Sequence, residues 1–117
     1  MNYYEMDQGE LCQEVLKHQV DSYHFDSDDF IVKIIDKSMC CVFHCVNGNT
    51  CGLAYSFAYS WGFVGKLIAD NKIAITFMHG ANQWRATSNK HIRVQCDCPL
   101  KAAIICYLTA MNWNHGN

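Results

Sequence analysis

The chain has 117 residues, half of them apolar and 17% charged, a length and composition that suit one folded domain and exclude a disordered or collagen-like polymer. Nine Lys plus Arg against eleven Asp plus Glu leave a formal charge of -2, which argues against general nucleic-acid binding by phosphate neutralisation. The longest run without a formal charge, Ser38 to Gly65, could span a bilayer by length. Asn47, Gly48, Asn49, Thr50 and several serines interrupt it, so it reads as core and no membrane partner is expected.

Near the N-terminus, Glu5, Asp7 and Glu10 stand where an export signal would place cations and an apolar run, so a cytosolic location is expected. Asp7 with Glu10 three residues on has the form of a capping box, and Leu11, Val15 and Leu16 continue it as one stripe. A first helix is predicted from about Asp7 to Lys17. His18 to Asp29 reads as a polar loop that leads into a strand over Phe30 to Ile35.

A second strand is predicted over Met39 to Val46. Asn47-Gly48-Asn49 tolerates positive φ and should turn the chain back toward Leu53 to Ser56. From Phe57, the positions Phe57, Trp61, Val64, Leu67 and Ile68 recur as the stripe of an amphipathic helix ending near Asp70-Asn71. Gly62 and Gly65 within it are read as points of close approach to a sheet. Lys72 to Met78, Gln83 to Thr87 and Ile92 to Cys96 make a three-stranded meander, with a turn at His79-Gly80-Ala81-Asn82. Pro99 suits a first helical position, and Leu100, Ala103, Ile104, Tyr107, Leu108 and Met111 form the stripe of a closing helix. Strands grouped between helices with hairpin spacing indicate an α+β fold. Residues 1–117 are read as a single small domain, an antiparallel sheet with helices packed on one face.

The run Trp61-Gly62-Phe63-Val64-Gly65-Lys66-Leu67-Ile68-Ala69-Asp70-Asn71-Lys72-Ile73-Ala74-Ile75, then Gln83-Trp84-Arg85-Ala86, then Cys98-Pro99-Leu100-Lys101-Ala102-Ala103 and the helix after it, resembles the NinX-like family of small phage-encoded proteins. Cys98 stands where that family typically has Asn, and Lys101 where it has Arg. The opening Met1-Asn2-Tyr3-Tyr4 is similar as well, whereas Ser22 to Ser56 lies outside the resemblance. The family has no known function, and the shared positions build a helix, a strand and a cap. The resemblance therefore implies a phage or prophage origin, a bacterial cytosol and an accessory role in host takeover or defence inhibition, with no catalytic residue to carry over.

Eight cysteines would suggest a disulfide framework in a secreted protein, but in a reducing cytosol they are expected to be free, with Cys40, Cys41 and Cys106 acting as small buried hydrophobes. Cys45, Cys51, Cys96 and Cys98 form a conceivable zinc set, yet the chain has no C-x-x-C, so no metal and no cofactor are expected. Ala58-Tyr59-Ser60-Trp61-Gly62 has the outline of a nucleophile elbow, but the chain is too short for that fold and Ser60 reads as helical or capping. Asp26-Ser27-Asp28-Asp29 lacks the Gly of a calcium loop, and Lys37 occupies the position that needs a bidentate carboxylate. His44 and His79 read as a sheet and a turn histidine.

The leading expectation is a non-enzymatic protein that binds a host or phage protein through an acidic and aromatic surface made by Asp26, Asp28, Asp29, Tyr23 and Phe25. Tyr3, Tyr4, Tyr55, Tyr59 and Trp113 are further candidates for exposed aromatics. One alternative is a small-molecule or nucleotide-signal binder with a pocket rimmed by Trp84, Arg85 and Lys101. The other is a zinc- or cysteine-dependent enzyme.

Overall fold

A computed structural model describes residues 2–19, 30–35, 37–47, 49–88 and 91–116, without the side chains of 113–116. The chain divides into two compact units, residues 1–59 and 60–117. The α+β architecture with antiparallel pairing is as the sequence implies, but the strands form two three-stranded sheets rather than one.

In the first unit, a short 3-10 turn over Tyr3–Glu5 leads into helix α1, Gln8–Gln19. The capping box forms reciprocally: the Glu10 amide donates to Asp7 Oδ1 at 2.8 Å and the Asp7 amide to Glu10 Oε1 at 3.2 Å. Leu11, Cys12, Val15 and Leu16 are buried along the stripe. Strands β1 (Phe30–Ile35), β2 (Met39–Val46) and β3 (Asn49–Ala58) follow as a meander with β2 in the centre. Register shifts between Val42 and Phe43 and between His44 and Cys45 mark bulges in the β2–β3 pairing.

Helix α1 covers the sheet face that carries Ile34, Cys40, Val42 and Phe57. The last three are buried, and the Cys12 thiol of α1 donates to the Ser38 carbonyl at 3.7 Å. The close approach here depends on Gly9. A Cβ at that position would collide with Ile34 Cγ2 and stand 3.3 Å from the Lys37 carbonyl oxygen. Lys37 itself turns the chain from β1 into β2 at φ 59°.

The second unit begins with helix α2, Trp61–Asn71. The helix predicted from Phe57 starts four residues later, because Phe57 and Ala58 pair with Cys40 and Met39 as strand residues. Ser60 is the N-cap residue, with extended backbone; its carbonyl accepts from the Val64 amide at 2.8 Å while its side chain makes no capping bond. At the other end Lys72 adopts the left-handed conformation, and the Lys72 and Ile73 amides close onto the Ala69 and Ile68 carbonyls. Lys72 is thus a cap, and the strand predicted from it starts two residues on. A Cβ at Gly65 would meet nothing within 4 Å, and at Gly62 only the Ser60 hydroxyl at 3.9 Å, so neither is a point of close approach.

Strands β4 (Ala74–Met78), β5 (Gln83–Thr87) and β6 (Arg93–Cys96) pair antiparallel in that order. Helix α3, Pro99–Gly116, starts at the predicted proline, and the Ala102 amide donates to the Cys98 carbonyl at 3.0 Å. Every residue from Ala102 to Leu108 is buried, not only the predicted stripe. The physical reason is that α3 packs on β5 and β6 on one side and on α2 on another, so apolar side chains surround it.

Candidate functional site

Each sheet has one face covered by a helix of its own unit and one face that the helices among the described residues of that unit leave open. In the first sheet, alternation places Ile31, Lys33 and Ile35 of β1 on the side away from α1, level with Phe43, Cys41 and Met39 of β2. Leu53, Ser56 and Ala58 of β3 continue these three rows. This face is apolar apart from Lys33 and Ser56, and the Lys33 ammonium lies 5.8 Å from the centre of the Phe43 ring. Ile31 and Ile35 are each 36% exposed and Leu53 57%. Beside it, β3 is an edge strand whose residues from Asn49 to Leu53 are all exposed.

The candidate nucleophiles have a different environment. All eight cysteines are free thiols. Burial pushes the Cys12 thiol up to about 12 and those of Cys40 and Cys106 to about 11, and it raises Cys41 and Cys96 as well. A thiol held protonated is a poor nucleophile and a poor metal ligand. Cys51 alone is exposed, its thiol 3.6 Å from the Asn49 carbonyl oxygen.

Of the four cysteines considered for zinc, Cys45 and Cys51 belong to the first unit, Cys96 and Cys98 to the second. Among the described residues no three His, Cys, Asp or Glu side chains converge as a metal site requires. His44 packs its ring 4.9 Å from that of Phe30 and His79 lies edge-on to Phe77 at 4.8 Å, so both contribute ring contacts at the surface.

Trp84, Arg85 and Lys101 are not brought together as the rim of one pocket. Trp84 and Arg85 are consecutive on β5 and point to opposite faces. Trp84 shares the α3 side with the buried Ala86, Val94 and Cys96 and packs against Phe77 at 5.1 Å. Lys101, on α3, influences the Cys96 thiol on that same side, whereas Arg85 emerges on the other. Asp26, Asp28, Asp29, Tyr23 and Phe25 lie outside the described residues, as does the Trp113 side chain.

Tyr4 and Tyr55 are exposed as expected, while Tyr3 is buried and Tyr59 half-buried. Two exposed aromatics were not anticipated, Trp61 at 59% and Phe63 at 39%. Phe63 lies off the predicted stripe, whereas Trp61 belongs to it and stays exposed in the first turn of α2. None of the helices among the described residues is long and apolar enough to cross a membrane. No protein-family model, curated protein or solved structure matches the chain.

Proposed function

We propose that the protein is a non-enzymatic accessory protein of phage or prophage origin, akin to the NinX-like proteins, that acts in the bacterial cytosol by binding a host or phage protein. The observation that carries this reading is the open face of the first sheet. Ile31, Ile35 and Leu53 are exposed and Met39 and Phe43 half-buried on neighbouring rows of one surface, with Cys41 buried between them. Contiguous apolar surface of this kind is costly to leave in water and is typical of protein contact sites.

The acidic segment with Asp26, Asp28 and Asp29 directly precedes β1 in sequence, and β1 is one edge of this face. It is proposed to steer a partner whose apolar contact surface is ringed by cations, acting mainly on the association rate. The raised pKa values of the buried Cys12, Cys40 and Cys106 thiols argue against these three as nucleophiles.

A photo-crosslinking amino acid at Leu53, used in host cells that express the protein during infection, tests the reading. One discrete protein adduct is expected, lost when Ile31→Asp or Ile35→Asp is added and weakened when Asp26, Asp28 and Asp29 are all changed to Lys. Adduct yields unchanged by these substitutions, with the fold retained, would overturn it.

A further inference from the structure

We propose that the open face of the second sheet is a phosphate-binding site centred on Arg85 and Arg93. Two adjacent rows of side chains make it. Thr76, Arg85 and Gln95 stand opposite one another across β4, β5 and β6; in the next row Thr87 of β5 stands opposite Arg93 of β6. All five project from the side opposite α3, because Ala86, Val94 and Cys96 between them point inward and are buried. Arg85 and Arg93 are diagonal neighbours, a separation of about 7–8 Å that one tetrahedral anion can bridge with two long side chains.

The electrostatics of the face are unusual for this chain. The protein carries a formal charge of -2, yet none of the three strands contains a single Asp or Glu. Arginines on an exposed sheet commonly pair with a cross-strand carboxylate. Among the described residues the Arg85 side chain makes one hydrogen bond, a long one from Nη2 to Gln95 Oε1 at 3.4 Å. Its Nε is a buried nitrogen without a hydrogen-bond partner among the described residues. A buried donor in that state is costly, the more so when charged, and an acceptor brought to the guanidinium edge would relieve it.

The donor set selects the anion. Two guanidinium forks, the Thr76 and Thr87 hydroxyls and the Gln95 amide offer more donors than the two oxygens of a carboxylate can use. A phosphate group, with a charge of roughly -1.5 to -2 and three or more acceptor oxygens, matches both the charge and the donor count. The site differs from a pocket formed by Trp84, Arg85 and Lys101: it keeps Arg85, replaces the other two with Arg93 and the strand hydroxyls, and is an open surface. It is independent of the apolar face of the first unit.

Nitrogen-15-labelled full-length protein, titrated with inorganic phosphate at constant ionic strength, provides the test through the Nε–H resonances of the arginines. A saturable shift of the Arg85 resonance is expected, weakened at least about tenfold in Arg85→Lys, which keeps the charge but loses the fork, and several-fold in Arg93→Gln. An equal response to chloride or acetate, or an Arg85→Lys variant that binds like the parent, would overturn the assignment. Adenosine monophosphate in a parallel titration separates the sources: affinity equal to inorganic phosphate assigns the phosphate alone, and tighter binding assigns a phosphate carried on a nucleotide. Melting curves establish that the variants are folded; should Arg85→Lys fail to fold, Arg93→Gln carries the test. Crosslinking through Leu53 is expected to be unchanged in both variants.

Discussion

The two sheets share strand number, strand order and antiparallel pairing, but the faces left open by their own helices have opposite chemistry. That of the first sheet is mainly isoleucine, methionine, phenylalanine and leucine, with Lys33 and Ser56 its polar residues; that of the second is threonine, glutamine and arginine. An antiparallel sheet with one covered face ordinarily alternates apolar inward and polar outward. The second sheet follows this rule, and its two arginines have no ion pair among the described residues. In the first sheet the rule is broken across two strands, since Ile31 and Ile35 of β1 and Met39, Cys41 and Phe43 of β2 are apolar on the side away from α1. The lesson is that exposed strand residues of the two units differ in chemistry, largely apolar in one and polar with two arginines in the other.

The largest effect is expected where helix coverage is complete. Ile104→Asp would bury a carboxylate in the fully enclosed middle of α3; a loss of at least about 3 kcal/mol in denaturant unfolding is expected. A melt like the parent's would show that α3 is not the core of the second unit. Next comes the alkaline limb of stability. The Cys12, Cys40 and Cys106 thiols have an ordinary value of 9.0, and burial first of all pushes them up to about 12, 11 and 11. Between about pH 9 and pH 11 the unfolded chain therefore loses protons that the native chain keeps, so stability present below pH 9 falls as pH rises through this window. Urea unfolding across the window should show that slope, and a variant with Ala at the three positions should flatten it.

Within the first unit, Gly9→Ala is expected to cost about 1–3 kcal/mol by forcing α1 away from Ile34 and Lys37. The same change at Gly65, where a Cβ has open space, should be neutral or stabilising by up to about 1 kcal/mol. Equal effects at the two sites would refute the close approach of α1. The smallest effect is expected on the open apolar face: Leu53→Asp should shift stability by less than about 0.5 kcal/mol while abolishing the crosslink from the neighbouring Ile31 position. A large thermal destabilisation there would mean that Leu53 supports the fold.

Local chemistry made much of this architecture legible. The capping box of Asp7 and Glu10 and the proline that opens α3 depend on residues a few positions apart and occur where the sequence places them, whereas β3 already begins at Asn49 rather than near Leu53 and β4 begins two residues after Lys72. The helix predicted from Phe57 began too early for a physical reason: an apolar residue four positions before Trp61 satisfies the helical period whether it is the last residue of a buried strand or the first turn of a helix. Only the pairing of Phe57 with Cys40 decides. The glycines show the same division. Gly62 and Gly65 look significant because they interrupt a helix, yet Gly9 is the one that meets another element, and no local pattern reports which helix face lies against a strand.

For the candidate sites the sequence determined composition, and the tertiary structure determined sides. Ile31 and Ile35 are indistinguishable in sequence from core residues, and Arg93 from any solvated cation. Cross-strand register makes Arg93 a neighbour of Arg85, and sends Trp84 to the opposite face from the arginine beside it. Alternation along a strand is a local property, so the sequence separates the two faces of each sheet. Which face a helix covers depends on contacts between segments distant in the chain, where the burial of Leu11, Val15 and Leu16 in one unit and of Ile104 and Leu108 in the other supplies the free energy that selects it.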